Sequence, residues 1–172
     1  MKSYKEKLKD IKVFMFDVDG VLTDGLVYLM KDELVRSLNA KDGYALQYAS
    51  KMDYKIFIIT GGHSTEVKER LLGLGVTEVH LGTSYKLSKY QELQEKYGFY
   101  NEQVLYMGDD IPDIPVMNLI GVSTCPQDAA IDIKSIVDYQ SPLDGGKGCV
   151  RDVIEQTLRV QGNWMSNKAF EW

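Results

Sequence analysis

Two aspartates, Asp17 and Asp19, follow the first strongly apolar stretch of the chain. That stretch, residues 11–16, is almost uninterrupted apolar sequence, which is typical of a strand buried on both faces of a parallel sheet. Side chains two residues apart on a strand point the same way, and Gly20 allows the chain to turn just behind them. Two nearby carboxylates repel unless a proton or a cation joins them, and a hard cation such as Mg²⁺ fits best. Taken alone, however, this pattern more often means two acids that merely end a strand.

Polar residues also end two later apolar runs. The run at residues 54–59 stops at Thr60, the run at residues 103–107 stops just before Asp109, and Lys86 begins a helical pattern between them. The carboxyl ends of parallel strands lie along one edge of a sheet, so these groups should converge there. Together they offer a metal site, a nucleophile and donors for the oxygens of a transferred phosphoryl group. Considered singly, Thr60 could simply end a strand, and Lys86 could be a solvated helix residue.

Strand and helix patterns alternate along the chain. Apolar runs predict strands at residues 11–16, 54–59, 76–81, 103–107, 121–123 and 136–139, and amphipathic patterns predict helices after residue 42 and at 64–72, 86–97, 128–134 and 148–161. This alternation predicts an α/β fold with a doubly wound, mostly parallel sheet. No repeat, low-complexity tract or Pro/Gly-rich linker divides the 172 residues, which are therefore predicted to form a single domain.

The interval between the first two long strands contains a hairpin and a helix. Two β-prone runs within residues 26–38 flank the polar pair Lys31-Asp32, which predicts a small β-hairpin. Asp42 is placed to cap the helix that follows. These two elements use up the interval and leave no room for an inserted domain. The polar tail, residues 162–172, is expected to be mobile.

The chain resembles the haloacid dehalogenase-like (HAD) phosphatases over about residues 11–151. Four motifs of that family occur in order, each at a predicted strand end or helix start: Asp17-Val18-Asp19-Gly20, Thr60, Lys86 and Gly108-Asp109-Asp110-Ile111-Pro112-Asp113. Any one of these motifs is weak, whereas four in the family's order are specific. The resemblance implies a HAD-like Rossmannoid fold and phosphoryl transfer through an aspartyl-phosphate, with the hairpin in place of a cap domain.

The resemblance also implies a role for each motif residue. Asp17 would be the nucleophile, and Asp19 would protonate the leaving alcohol as an acid and then activate water as a base. Thr60 and the backbone N–H of Gly61 would bind the transferring phosphoryl oxygens. Lys86 would neutralise charge on the nucleophile and the phosphate.

Mg²⁺ is the cofactor that the resemblance implies. It would be held by the Asp17 carboxylate, the backbone carbonyl of Asp19 and the Asp109 carboxylate. Asp110 is expected to support these ligands from outside the metal shell. Asp113 fits a site residue and a helix-capping acid about equally well.

Within the family, the chain looks most like the capless branch that includes phosphatases of 3-deoxy-D-manno-octulosonate (KDO) 8-phosphate. Beyond the core motifs, the stretches that carry this likeness are residues 39–45, 107–113 and 145–152. The likeness implies hydrolysis of KDO 8-phosphate to KDO and phosphate, a step towards lipopolysaccharide. Lys41, Lys147 and Arg151 are candidates to bind the sugar's carboxylate or phosphate, although ordinary surface charges would look nearly the same. The branch assembles as tetramers in which the hairpins meet, so a homotetramer is expected.

Two other functions remain open at this point. The nearest is a phosphatase of nonulosonate 9-phosphates, of the KDN or sialic acid type, whose members tend to have Glu where this chain has Gly62. The second is a non-catalytic regulatory or binding module on the same fold, which the intact set of Asp17, Asp19, Lys86 and Asp109 opposes. A phosphomutase would need a cap domain to shield its intermediate from water.

Composition narrows the choice of partners and compartment. The net charge of −5 argues against nucleic acid, and no apolar run approaches the roughly 18 residues of a membrane helix. The charged N-terminus has no apolar core after it, so no signal peptide is expected. Cys125 and Cys149 lie too far apart to suggest a metal motif. Reduced thiols and a cytoplasmic location are the resulting expectation, with a small phosphorylated sugar acid as partner.

Overall fold

The computed structural model describes residues 2–31 and 34–171. Its strands are β1 (Val13–Phe16), β2 (Tyr28–Leu29), β3 (Leu34–Val35), β4 (Lys55–Ile59), β5 (Glu78–His80), β6 (Val104–Met107), β7 (Val122–Cys125) and β8 (Tyr139–Gln140). Its α-helices are α1 (Tyr4–Lys7), α2 (Ala40–Lys51), α3 (Thr65–Gly73), α4 (Lys86–Tyr97), α5 (Ile114–Met117), α6 (Ile131–Lys134) and α7 (Cys149–Val160). Short 3₁₀ segments cover Leu8–Asp10, Asn101–Gln103, Ile111–Asp113 and Asn167–Phe170.

Six of these strands form one parallel sheet in the order β5-β4-β1-β6-β7-β8. The chain builds outward from β1 through β4 to β5, and then returns to the other side of β1 with β6. The strand order therefore reverses between β1 and β6. Open α/β sheets bind their ligands beside the carboxyl ends of the strands at such a reversal. The doubly wound α/β prediction is confirmed.

Strand β1 is buried on both faces. Phe14 and Phe16 pack into the apolar cluster that includes α2 and α7, whereas Val13 and Met15 pack into the cluster on the opposite face with α4. All four side chains are at most 2% exposed. The uninterrupted apolar pattern of β1 thus reflects helices on both sides of the sheet, and it holds the residues after Phe16 at a rigid edge.

Helix α2 begins with a different cap from the one predicted. The side chain of Asn39, not that of Asp42, caps the N-terminus of the helix by accepting a hydrogen bond from the Lys41 backbone N–H at 2.8 Å. Asp42 is the third residue of the helix, in its first turn; it is 1% exposed and accepts a hydrogen bond from the backbone N–H of Arg151 at 2.7 Å. The prediction that Asp42 caps α2 was wrong, because this carboxylate serves the first turn of α7 instead.

The hairpin is shorter than its sequence pattern. Strands β2 and β3 pair antiparallel with Tyr28 opposite Val35 and Leu29 opposite Leu34. The predicted turn includes Asp32, which lies outside the described residues. In the described part of the interval between β1 and α2, this hairpin is the regular secondary structure.

The C-terminal segment packs against α2. The Tyr44 hydroxyl donates to the Ala169 carbonyl at 2.5 Å, and the Tyr48 hydroxyl donates to the Asn163 carbonyl at 2.8 Å. The ring of Trp164 meets the ring of Tyr48 edge-on, with centroids 5.2 Å apart. These contacts give residues 162–171 a defined place on the fold, while the mobility expected of this tail stays a prediction.

Candidate active site

Asp17 stands at the carboxyl end of β1, beside the reversal in strand order. Its Oδ2 lies 2.9 Å from Nζ of Lys86, the first residue of α4, and its Oδ1 accepts a hydrogen bond from the Val18 backbone N–H at 2.7 Å. Burial, together with the nearby negative charge of Asp113, raises the pKa of Asp17 to about 6, although Lys86 opposes this rise. Burial would lower the pKa of Lys86, but the two carboxylates outweigh it and raise that pKa.

Asp113 anchors the lysine. Its side chain is 1% exposed, and its Oδ1 lies 2.6 Å from Lys86 Nζ and accepts a hydrogen bond from the Tyr106 hydroxyl at 2.6 Å. Its Oδ2 accepts from the backbone N–H groups of Asp109 and Asp110 at 3.1 and 3.4 Å. Asp113 is therefore part of the site and holds both the lysine and the loop after β6. Sequence reasoning missed Tyr106, because this residue belongs to the otherwise apolar strand β6.

A cluster of carboxylates fits a divalent cation. One oxygen from each of Asp17, Asp109 and Asp113 lies within 4.8 Å of the others. Burial, and then the negative charges of Asp17 and Asp113, raise the pKa of Asp109 to about 7, so negative charge is in excess here. Because both oxygens of Asp113 already accept two hydrogen bonds each, Asp17 and Asp109 are left as ligands. Mg²⁺ suits such a site, since it takes one or two carboxylates and completes its shell with water and phosphate oxygens. The Asp19 carbonyl stays a predicted ligand.

Gly20 allows the first motif to approach this cluster. A Cβ atom at Gly20 would lie 2.0 Å from Oδ2 of Asp109, and the residue has a φ of +81°. Only glycine adopts such a backbone without strain and leaves that space empty. The Asp-x-Asp-Gly pattern thus has a steric cause as well as a chemical one.

A cavity of about 480 Å³ joins the predicted groups. Thr60 is 2% exposed, and its Oγ1 accepts a hydrogen bond from the Gly62 backbone N–H at 3.0 Å, so the hydroxyl proton can be given to a phosphoryl oxygen. Lys41 does not line this cavity and is exposed at the start of α2. The residues that line it are Asp17, Asp19, Gly20, Gly25, Thr60, Gly61, Gly62, Thr83, Ser84, Lys86, Asp109, Asp110, Pro112 and Asp113.

A second cavity of about 580 Å³ adjoins the first on the hairpin side. Asp19, Gly61 and Gly62 line both cavities, so they mark the passage between them. The remaining lining residues of the second cavity are Leu34, Arg36, His63, Ser64 and Glu66. This space lies beside the carboxylate expected to protonate a leaving group, and it is large enough for part of a sugar.

Arg36 is a further residue that sequence reasoning missed. Its Nε donates to Oδ1 of Asp19 at 2.6 Å, and its Nη2 donates to Oδ2 at 3.2 Å. The Arg36 side chain is only 8% exposed. The one available signal was that Arg36 is the single basic residue in the β-prone run at residues 33–38.

The Gly-rich stretch at residues 145–148 supports the first motif. The Gly146 backbone N–H donates to the Val21 carbonyl at 2.9 Å, and Asn39 Nδ2 donates to the Gly146 carbonyl at 3.0 Å. A Cβ atom at Gly145 would lie 2.1 Å from the Gly20 carbonyl oxygen. The stretch is therefore packed directly against the loop of residues 17–24, which we call the nucleophile loop after the role that the family resemblance implies for Asp17.

A parallel sheet whose central strand ends in a lysine-paired aspartate, with a second aspartate two residues later, defines a haloacid dehalogenase-like hydrolase. The chain is 38% identical over 157 residues to the KDO 8-phosphate phosphatase KdsC of Escherichia coli K12, covering 91% of this chain and 84% of that protein. KdsC of Salmonella typhi is 37% identical over the same shares. The chain belongs to the KDO 8-phosphate phosphatase family of the HAD superfamily.

Solved structures agree with this assignment. The KDO 8-phosphate phosphatase of Yersinia pestis has a TM-score of 0.91 at 34% identity, covering 93% of this chain and 87% of that one. The Moraxella catarrhalis enzyme, solved with magnesium, phosphate and KDO, has a TM-score of 0.90 at 31% identity, with coverages of 94% and 93%. No protein-family model matches the chain. Within residues 2–31 and 34–171, no helix combines the length and apolarity needed to cross a membrane.

Proposed function

We propose that this protein is a Mg²⁺-dependent phosphatase that hydrolyses KDO 8-phosphate to KDO and phosphate. The observation that carries the proposal is the contact of Asp17 with Lys86, next to Asp109, at the reversal in strand order. Relatives with this fold bear the name KDO 8-phosphate phosphatase. A place in the supply of lipopolysaccharide precursors follows from that substrate.

In the proposed reaction, an oxygen of Asp17 attacks phosphorus and the bond from phosphorus to the sugar's terminal oxygen breaks. Asp19 gives its proton to that oxygen, so the sugar leaves as an alcohol. Asp19 then takes a proton from water as the water attacks the aspartyl-phosphate, which releases phosphate and restores Asp17. Thr60 and the Gly61 N–H bind the phosphoryl oxygens, and Lys86 balances their charge. When bound by Asp17 and Asp109, Mg²⁺ supplies further positive charge there.

The body of the sugar acid would occupy the cavity beyond Gly62. This placement brings the leaving oxygen to Asp19, which lines both cavities. Lys41 lies outside both linings, so its contact with the substrate stays a prediction.

A homotetramer formed through the hairpins is part of the proposal. Leu29 is 81% exposed, and Leu34, the residue paired with it, is 54% exposed. An apolar ribbon of this kind is typical of a surface covered by another subunit. We place the enzyme in the cytoplasm, since Cys125 and Cys149 are buried, unpaired thiols, which suit a reducing compartment.

The test is phosphate release, with and without Mg²⁺, from KDO 8-phosphate, nonulosonate 9-phosphates and hexose phosphates. We expect a strong preference for KDO 8-phosphate and no turnover after the metal is chelated. Equal or better turnover of a nonulosonate 9-phosphate would favour the alternative function, a nonulosonate 9-phosphate phosphatase. No release from any compound would favour a non-catalytic module on the same fold.

A further inference from the structure

We propose that Arg36 is a positioning residue for Asp19, holding its carboxylate in the plane from which it exchanges protons with the leaving oxygen and with water. The inference rests on the proposed phosphatase function and adds a residue outside its four motifs. It comes from two hydrogen bonds, from Nε to Oδ1 at 2.6 Å and from Nη2 to Oδ2 at 3.2 Å.

The geometry of the pair between Arg36 and Asp19 restrains the orientation of the Asp19 carboxylate. A guanidinium that meets both oxygens of a carboxylate fixes the plane of that carboxylate, whereas a single contact leaves it free to rotate. Within residues 2–31 and 34–171, no other hydrogen-bond donor contacts the Asp19 carboxylate. The nucleophile differs, because Asp17 is held from two sides by Lys86 and the Val18 N–H.

Burial is also unequal within the pair. The Asp19 side chain is 34% exposed and open to both cavities, while the Arg36 side chain is 8% exposed. The arginine is therefore the fixed partner and the aspartate the one that needs restraint. A 1 Å misplacement of a reacting group can cost on the order of 10²-fold in rate, so this restraint bears on catalysis.

Arg36 also connects the hairpin to the reacting groups. It directly follows β3, whose residues Leu34 and Val35 pair with β2. The position of the hairpin thus determines where the guanidinium lies, and through it where Asp19 lies. Arg36 faces the second cavity as well, so binding of the sugar's carboxylate is the competing role that a test must separate.

The test uses Arg36→Met and Arg36→Lys, with kcat/KM measured for KDO 8-phosphate, glycerol 3-phosphate and p-nitrophenyl phosphate. The first two have alkyl leaving groups that need a proton, and glycerol 3-phosphate has no carboxylate. The nitrophenolate of the third leaves without a proton. Arg159→Met is the matched control, because Arg159 pairs with Glu155 on the surface of α7, away from the site.

For Arg36→Met we expect kcat/KM to fall by on the order of 10²-fold for both alkyl phosphates and by less than about threefold for p-nitrophenyl phosphate. Arg36→Lys should recover part of the loss, and Arg159→Met should change none of the three. An equal fall for all three substrates would show a merely structural role and overturn the inference. A fall confined to KDO 8-phosphate would assign Arg36 to substrate binding instead. A wild-type enzyme that releases no phosphate from any of them would overturn the proposed function itself.

Discussion

At the residue scale, the proposed chemistry depends on a few charged side chains in the buried part of the first cavity. Lys86 is 5% exposed and lies between Asp17 and Asp113, at 2.9 and 2.6 Å. Burial raises the pKa values of Asp17 and Asp109, and the charges of neighbouring carboxylates add to the rise. One lysine among several acids leaves negative charge in excess at the site. A divalent cation would offset this excess and prepare the site for a negatively charged phosphoryl group.

Replacement of Asp17, the proposed nucleophile, gives the most direct prediction. Asp17→Asn keeps the size of the side chain but cannot form the aspartyl-phosphate, so phosphate release should fall by on the order of 10⁴-fold or more. The measurement is steady-state phosphate release, with circular dichroism to confirm the fold. Asp132→Asn, an exposed change on α6, is the control and should keep full activity. Substantial turnover by Asp17→Asn would remove Asp17 from the role of nucleophile.

Metal binding should depend on pH in a defined direction. Without metal, the pKa is about 7 for Asp109 and about 6 for Asp17, and both must lose their protons to bind Mg²⁺. Affinity should therefore rise with pH and level off above about pH 7. Between about pH 7 and 6 it should fall roughly tenfold per unit, and more steeply below that. Calorimetric titration with MgCl₂ from pH 5.5 to 8 measures this.

The variant Asp109→Ala serves as the comparison for that titration. It should bind Mg²⁺ at least about tenfold more weakly at pH 8 and lose the pH dependence between 6 and 7. An affinity for Mg²⁺ that is unchanged by this substitution would remove Asp109 from the metal shell.

At the scale of elements, loops distant in sequence hold the nucleophile loop in place. Residues 145–148 pack on the backbone of residues 20–24 through glycines. Asn39, the cap of α2, donates to the Gly146 carbonyl, and Asp42 accepts from the Arg151 N–H in the first turn of α7 that follows. Burial raises the pKa of Asp42 to about 6 even though two backbone N–H groups oppose the rise. The family likeness in residues 39–45 and 145–152 is thus explained by packing.

A single methyl group should disturb this arrangement. In Gly145→Ala, the new Cβ would lie 2.1 Å from the Gly20 carbonyl oxygen, so the nucleophile loop must move. We expect kcat to fall by on the order of ten- to 10²-fold, with a lower melting temperature. Gly73→Ala, at the end of α3, meets no atom within 4 Å. It is the control, and it should keep full activity and gain up to about 1 kcal/mol of stability. Full activity of Gly145→Ala would contradict a supporting role for the stretch.

At the scale of the whole molecule, an open site and an exposed apolar hairpin occur on the same side of the sheet. Leu34 lines the second cavity and pairs with Leu29 in the hairpin. A subunit that covers the hairpin would therefore also border the space proposed for the sugar. Closed cyclic symmetry is the usual way in which such surfaces are covered.

Charge on the hairpin should separate the subunits. Leu29→Lys places an ammonium group where an apolar contact is proposed, so sedimentation should show a shift from tetramer to smaller species at micromolar concentration. Ile131→Lys is the matched control, because Ile131 on α6 is also 81% exposed. It should leave the mass unchanged. Identical masses for Leu29→Lys and the wild type would contradict the hairpin as the contact surface.

The sequence alone determined the architecture and the main chemical groups. Periodicity shows which faces of an element are buried, so the apolar runs predicted the parallel sheet. The polar residues that end those runs predicted an active site at the edge formed by the carboxyl ends of the strands. Asp17, Asp19, Thr60, Lys86 and Asp109 line one cavity as expected. Lys86 begins a helix, and the other four lie within three residues after the end of a strand.

Only the tertiary structure decided how these groups are held. Arg36 meets Asp19 across 17 residues, Asp113 holds Lys86 across 27, and Asp42 reaches Arg151 across 109. Local periodicity specifies which way a side chain faces, but not which distant side chain it meets there. That choice depends on strand order, register and the path of loops, all of which arise when the whole chain packs.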